Sequence, residues 1–308
     1  MPINMTPNTT LVAVTGATGF IGSHLVNTLL NQGFRVRVLV RKPINLLLEH
    51  QSLEVIIGDI HTNSCMKALV KGAHYIIHCA GRVRGINQSQ FDHDNVLGSK
   101  NIIDAASESN VLKGFMYISS LAAREPTVSY YAKSKNTAES LIKNINFTEW
   151  SIIRPPAVYG PNDKELRPLF NWMKKGILWI PGNPEQKFSL IHVYDLVDFI
   201  AQEIFSNNHG GIHEPNDGQC YDWLLISQLC SEFFNRKIRK ITIPQNVLST
   251  AASLNVLLSK GMNYSPMLTP SKVRELTHDD WTALGISPNH RWTAKIDLKK
   301  GLSTLYSS

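Results

Sequence analysis

Cysteine is scarce in this 308-residue chain: Cys65, Cys79, Cys220 and Cys230 are the only four, and no two form a Cys-x-x-Cys pair. That argues against a disulfide framework or a cysteine zinc site and fits a reducing compartment, the cytoplasm. Long apolar runs are missing too. None exceeds four residues, as in Leu11–Val14, against the ~20 needed to cross a bilayer. The opening residues Met1–Thr10 hold neither a basic nor an apolar stretch, so no secretory leader is expected. Charged residues are few (18%) and hydrophobic ones plentiful (43%), which excludes a disordered chain. Dense basic runs are largely absent. The net charge of +7 divides into 15 basic and 10 acidic side chains over residues 1–160, and 16 and 14 over 161–308. Such a surplus suits an anionic small molecule better than nucleic acid, which is not expected as a partner. The densest cluster, Arg236, Lys237, Arg239 and Lys240, lies beside Phe233, Phe234 and Ile238 and reads as a solvated helix or strand edge.

What is present is a rhythm. Leu11–Thr15, Arg35–Val40, Leu53–Ile57, His74–Cys79, Gly114–Ser119 and Trp150–Arg154 are short runs rich in Val, Ile and aromatics, bounded by Gly, Asp or Asn. Helical spacing fills the gaps; Ile21, Leu25, Val26, Leu29 and Leu30 make one stripe that stops near Asn31–Gly33. Alternation of this kind predicts an α/β fold, a doubly wound parallel sheet of Rossmann type. Near residue 160 the pattern changes. Six prolines between Pro155 and Pro184 interrupt it, so residues 1–160 are expected to bind the cofactor and 161–308 to form a smaller, less regular substrate-binding portion. A return to the first part is expected over 188–205, with a strand at Phe188–His192 and a helix at Val193–Phe205. The segment Asn246–Lys260 puts Val247, Leu248, Ala251, Leu254, Leu257 and Leu258 on one helical face. Its other face is Ser/Thr/Asn rather than Lys/Arg, which favours a core-packing helix over one lying on a membrane.

Gly16-Ala-Thr-Gly19-Phe-Ile-Gly22 follows the first strand and opens the first helix. Gly16 permits a tight turn, Gly19 lets backbone approach a pyrophosphate, and Gly22 allows close helix–sheet packing. The helix N-terminus then offers free N–H groups and partial positive charge to the phosphates. After the second strand the chain reads Val38-Leu-Val-Arg41-Lys42-Pro43, with no carboxylate to accept from a ribose 2′-OH. Arg41 and Lys42 suit a 2′-phosphate instead, so NADP(H) is preferred to NAD; the alternative is a strand simply ending in solvent.

The glycine spacing, together with Gly58-Asp59, His78-Cys-Ala-Gly81, Asn95-Val-Leu-Gly98, Ile118-Ser-Ser120, Tyr131–Lys135, Arg154–Pro161 and Ile191–Asp195, resembles the extended short-chain dehydrogenase/reductase family. The resemblance runs from Thr15 to about Asp195 and is thin beyond residue 215. It implies cofactor contacts from Thr18, Phe20 and Ile21 in the turn, from Asp59 and Ile60 at the adenine, and from Ala80, Gly81, Asn95 and Ser119. Pro155 and Val158 would then meet the nicotinamide amide. Asp59 has an ordinary strand-end or capping reading besides, and Asn95 that of a local cap. The family commonly dimerises through a helix pair, so a homodimer is also implied.

Tyr131 and Lys135 are four residues apart, on one face of a helix. A nearby ammonium favours the phenolate, so Lys135 is expected to lower the Tyr131 pKa and fit the phenol for proton transfer. Ser120, favoured over Ser119, ends the fifth strand, where its hydroxyl can hold the substrate oxygen. Lys135 would also hold the ribose, as the family does. His74 and His78 lie on a predicted strand with no third ligand, and Asp92-His93-Asp94 is a polar helix entry, so no metal is expected. The predicted function is NADP(H)-dependent hydride transfer to or from a carbonyl or secondary alcohol. A nucleotide-sugar epimerase or dehydratase with transient redox is the alternative, and a non-catalytic dinucleotide sensor or assembly factor a third reading. Arg82, Arg84, Arg167, Lys174, Lys175 and Arg291 would suit a diphosphate. Trp172, Leu178, Trp179, Ile180 and the Val247–Leu258 stripe would suit an apolar ketone.

Overall fold

The computed structural model describes residues 7–43, 50–204, 210–262, 264, 266, 268–286 and 291–306. The first residues, on which the reading of a missing leader rests, and Phe205 at the end of a predicted helix lie largely outside them. Six parallel strands stand where the apolar runs place them: β1 (Leu11–Thr15), β2 (Arg35–Val40), β3 (Leu53–Ile57), β4 (Tyr75–His78), β5 (Gly114–Ile118) and β6 (Glu149–Ile153). All five residues of β1 are buried, as expected of a strand covered on both faces. Its neighbours are β2 and β4, so the sheet order reverses beside it and a crevice opens at the strands' carboxyl ends.

Helices cover both faces. On one side α1 (Phe20–Asn31) buries Leu25, Val26, Leu29 and Leu30, and Gly33, at φ +86°, turns the chain into β2. On the other, α2 (Asn63–Val70), α4 (Gly98–Ala106) and α5 (Tyr130–Lys143) pack on Ala13, Ile76, Phe115 and Tyr117. The short α3 (Gln88–Phe91) leads through a π-helical turn, Asp92–Leu97, into α4.

A third apolar core gathers Tyr159, Phe170, Phe188, Tyr221, Trp223 and Leu302. It is built from β7 (Ala157–Tyr159), α6 (Arg167–Lys174), β8 (Ile177–Pro181), β9 (Lys187–Phe188), β10 (Leu190–His192), α8 (Trp223–Phe234), β12 (Arg239–Ile243), β13 (Asp280–Trp281) and α11 (Leu298–Tyr306). The strand expected at Phe188–His192 is broken at Ser189, and β10 pairs with β7, outside the main sheet. The elements that do go back are α7 (Val193–Glu203), which packs with α1 in one core, and β11 (Gly211–His213), a seventh parallel strand beside β6.

The helix expected over Asn246–Lys260 forms as α9 (Gln245–Met262), but inverted. Val247, Ala251, Leu254, Leu257 and Leu258 are exposed, while Ala252 and Ser259 are buried. The core-packing expectation is therefore corrected: small and polar side chains face inward, against α10 (Pro270–Leu276) and the chain around Leu268, where the Asn255 amide donates to the Leu268 carbonyl at 3.0 Å.

Candidate active site

Thr15 ends β1, and its buried hydroxyl accepts from the Ala80 N–H at 3.1 Å while lying 2.6 Å from His78 Nδ1. With Nδ1 accepting, Nε2 holds the proton and donates to Ser99 Oγ at 3.0 Å, and Ser99 donates to the Asn95 carbonyl. Burial, aided by the charge of Lys135, pulls His78 down to about 3, so this chain of hydrogen bonds is uncharged at neutral pH.

The turn after β1 has no room for side chains. Gly16 has φ +71°, and a Cβ there would meet Ala80 N at 2.6 Å; one on Gly22 would meet the Gly16 carbonyl at 2.1 Å. Gly19 caps α1 without any side-chain hydrogen bond, and no acidic residue occupies the helix's first turn. A cradle of backbone N–H groups at a helix N-terminus fits a pyrophosphate. Thr18 and Gly19 are exposed, and Phe20 and Ile21 half-buried. Arg41 and Lys42, just past β2, are both exposed, with no carboxylate partner among the described residues. Asp59 accepts from the His61 N–H at 2.9 Å, a local turn rather than a cap of α2, whose N-cap position is Thr62 with no side-chain hydrogen bond. Ile60 packs against Gly98, where a Cβ would come within 3.2 Å of it.

Asn95 is neither a cap nor an open ligand. Its Oδ1 accepts from the Arg82 N–H, and its amide donates to the Arg82 carbonyl and to Ser134 Oγ. It thereby holds the loop after β4 to α5, beside exposed Gly81. Ser119 is turned away from the cleft: its hydroxyl donates to Glu139 at 2.6 Å, inside a buried network in which Arg154 pairs with both Glu139 and Glu214. Sequence reasoning had no signal for that network, because its members are far apart in the chain.

Ser120 and Tyr131 meet at one cleft of about 400 Å³, lined also by Pro155, Pro156 and Val158. Against expectation, the Tyr131 phenol is raised, first by burial and then by the Glu275 carboxylate, while the hydrogen bond from Ser120 pulls it down. Lys135 is not among the groups acting on it. The ammonium is buried, donates to the Ile118 carbonyl at 2.6 Å and lies 4.4 Å from the Tyr117 ring centre. Burial lowers its pKa to about 8.

The rest of the cleft is mostly apolar, with Phe20, Leu169, Phe170, Phe188, Trp223, Ile226 and Trp281 in its walls. Among the described residues its charged groups are Asp163, Glu165, Glu275 and one cation, Lys272, which is paired with Glu275 at 2.5 Å. None of the six cations suggested for a diphosphate lines it: Arg82 pairs with Asp94, Arg84 with Glu165, and Arg167, Lys174, Lys175 and Arg291 are on the surface. The suggested apolar wall is corrected too. Trp172 and Trp179 pack edge to face on the surface, and Leu178 and Ile180 are in the third core. His61, His93 and Asp94 bring ligand atoms within 4.8 Å of one another, a grouping that sequence spacing hides. Asp94, however, is already held by the Arg82 guanidinium at 2.7 Å.

Residues 12–212 match the NAD dependent epimerase/dehydratase family. The chain belongs to that family. A family member of this kind is an enzyme, and its extended short-chain dehydrogenase/reductase relatives include oxidoreductases. The chain is 34% identical over 279 residues to a ceramide reductase of Caulobacter vibrioides, covering 88% of this chain and 86% of that one. It is 25% identical to human sterol-4-alpha-carboxylate 3-dehydrogenase, decarboxylating, covering 84% and 77%. Among solved structures it resembles the UDP-glucuronic acid 4-epimerase of Bacillus cereus in complex with UDP-glucuronic acid and NAD, with a TM-score of 0.73 and 20% identity over 96% of this chain and 98% of that one. At that identity the likeness is one of fold. No helix among the described residues of this family member is long and apolar enough to cross a membrane.

Proposed function

We propose that the protein is an NADP(H)-dependent oxidoreductase acting on an apolar ketone or the corresponding secondary alcohol. The observation that carries this reading is the cleft: apolar walls, Ser120 and Tyr131 together, and among its described lining residues one cation, already paired. For a nucleotide sugar's phosphates the described walls offer one cation, Lys272, already paired with Glu275, which disfavours the epimerase alternative. The ceramide and sterol relatives support a lipid-like substrate. The intact Ser120, Tyr131 and Lys135 set speaks against a non-catalytic sensor.

In this reading Gly16, Thr18, Gly19, Phe20, Ile21 and Gly22 receive the dinucleotide's phosphates. Arg41 and Lys42 meet the 2′-phosphate, and Asp59 and Ile60 the adenine. Ala80, Gly81, Pro155 and Val158 border the nicotinamide half. When bound, the cofactor supplies or accepts the hydride. Ser120 hydrogen-bonds the reacting oxygen, and Tyr131, held against the same point, gives it a proton in reduction or removes one in oxidation. Burial keeps the Tyr131 phenol protonated at neutral pH, the form that gives a proton in reduction. Lys135 gives one N–H to the Ile118 carbonyl and keeps others for the ribose. Asn95 and Ser119 act as positioning residues. The free thiols fit a cytoplasmic setting.

The test is NADPH consumption across long-chain ketones, steroid-like ketones and nucleotide sugars, with Tyr131→Phe beside the wild type. Turnover of an apolar ketone that falls about 10²-fold or more in Tyr131→Phe, with NADPH binding kept, supports the proposal. Conversion of a nucleotide sugar without net NADPH use, or full activity of Tyr131→Phe, overturns it.

A further inference from the structure

Between Glu232 and Glu275 the chain has no acidic residue. Residues 233–274 carry seven basic ones: Arg236, Lys237, Arg239, Lys240, Lys260, Lys272 and Arg274. The whole chain's net charge is +7, so this segment holds all of it and the remaining residues sum to zero. Arg236, Lys237, Arg239 and Lys240 are exposed and have no carboxylate partner among the described residues. They lie on and just before β12, which leads through Pro244 directly into α9.

That helix is the inverted one. Val247, Leu254, Leu257 and Leu258 are 53%, 57%, 67% and 58% exposed, and exposed Ala251 sits among them. Positions 247, 251, 254 and 258 fall within one narrow stripe at 3.6 residues per turn, with 257 about 60° to one side of it. Four large aliphatic side chains on one outward helical face form a patch of the kind that soluble proteins keep for an interaction.

Charge decides what meets it. A second copy presenting the same segment would bring two acid-free, strongly basic stretches of chain together, which costs energy. An anionic lipid surface supplies what the segment lacks: headgroup negative charge for the cations and acyl chains for the leucines. Neither signal suffices alone, and the chain has both next to each other. Position in the fold adds to this, since α9 packs on α10, and α10 contributes Lys272, Glu275 and Leu276 to the wall of the cleft.

We propose that α9 docks flat on an anionic lipid bilayer, with Val247, Ala251, Leu254, Leu257 and Leu258 at the acyl boundary and the 236–240 cations on the headgroups. The contact is peripheral, and it puts the apolar cleft beside a lipid phase. It does not depend on the reaction proposed above, because binding can be measured with no substrate.

The experiment is co-sedimentation of the full chain with vesicles of phosphatidylcholine alone and of phosphatidylcholine with phosphatidylglycerol. The wild type is expected to bind the phosphatidylglycerol vesicles, more weakly at high salt, and to ignore the neutral ones. Leu254→Glu/Leu257→Glu/Leu258→Glu and, separately, Arg236→Glu/Lys240→Glu are each expected to lose about tenfold or more in affinity, with NADPH binding unchanged. A Leu257→Trp single variant gives a second readout that survives any folding failure of the triple one: quenching by brominated phosphatidylglycerol. Absence of binding to anionic vesicles overturns the proposal. So does a wild-type dimer that the triple leucine variant converts to monomer, which would mean that a second copy covers α9.

Discussion

The Ser129 hydroxyl donates to the Glu275 carboxylate at 2.8 Å while also capping α5, so the helix that carries Tyr131 is fastened at its first turn to α10. The same carboxylate is one of the charges that raise the Tyr131 pKa. Glu275→Gln keeps the shape and removes the charge. The alcohol-oxidation limb, which needs the phenolate, should then move to lower pH, and the reductive plateau should end at lower pH. Profiles of kcat/KM against pH for the two proteins measure the shift; superimposable profiles would refute it.

Two glycines of the turn after β1, the proposed phosphate site, should answer differently to alanine. At Gly22 the new methyl would lie 2.1 Å from the Gly16 carbonyl, so both stability and NADPH binding should fall, stability by about 1–3 kcal/mol. At Gly19 the methyl meets the same oxygen at 3.2 Å and φ is −77°, so the fold should persist while NADPH binds more weakly. Thermal melts with fluorescence titration separate the two, and equal loss of stability in both would contradict the packing argument.

Arg41→Asp removes a cation beside the proposed 2′-phosphate site and adds a carboxylate suited to a ribose hydroxyl. NADPH affinity should drop by about tenfold or more, the equivalent of one charge-assisted hydrogen bond, while NADH affinity holds or improves. Equal wild-type affinity for the two cofactors would count against NADP(H).

His78 links stability to pH. Its folded pKa, about 3, lies below the ordinary 6.5, so the unfolded chain binds the proton more readily. Its contribution is therefore complete above about pH 6.5 and is lost as pH falls toward 3. Urea titrations between pH 7 and 4 should show a decline that His78→Gln flattens, and an unchanged slope would remove His78 as the cause.

Much of this architecture is legible in the sequence because it is local. The strands from Leu11–Thr15 to Glu149–Ile153 announce themselves as apolar runs, and the glycine turn and the Tyr131–Lys135 pair lie within single short segments. What resisted reading is set by long-range partners. The three residues of β11 are too short to carry a pattern, and Ser119 resembles Ser120 until Glu139 is seen beside it. The rise in the Tyr131 pKa comes from burial and from Glu275, 144 positions away in the chain. In α9 the periodicity is correct and the inference from it was wrong, because a stripe does not say which way it faces.

The position of β11 bears on how the molecule is made. Until residues 211–213 have left the ribosome, β6 has an open edge, and until α7 follows β10 the outer face of α1 is bare. The nascent sheet of the first 160 residues must therefore wait for a stretch encoded well after it, exposing strand edge and apolar helix in the interval. A chain cut near residue 160 is expected to need a chaperone or to aggregate, although every glycine of the turn after β1 is present.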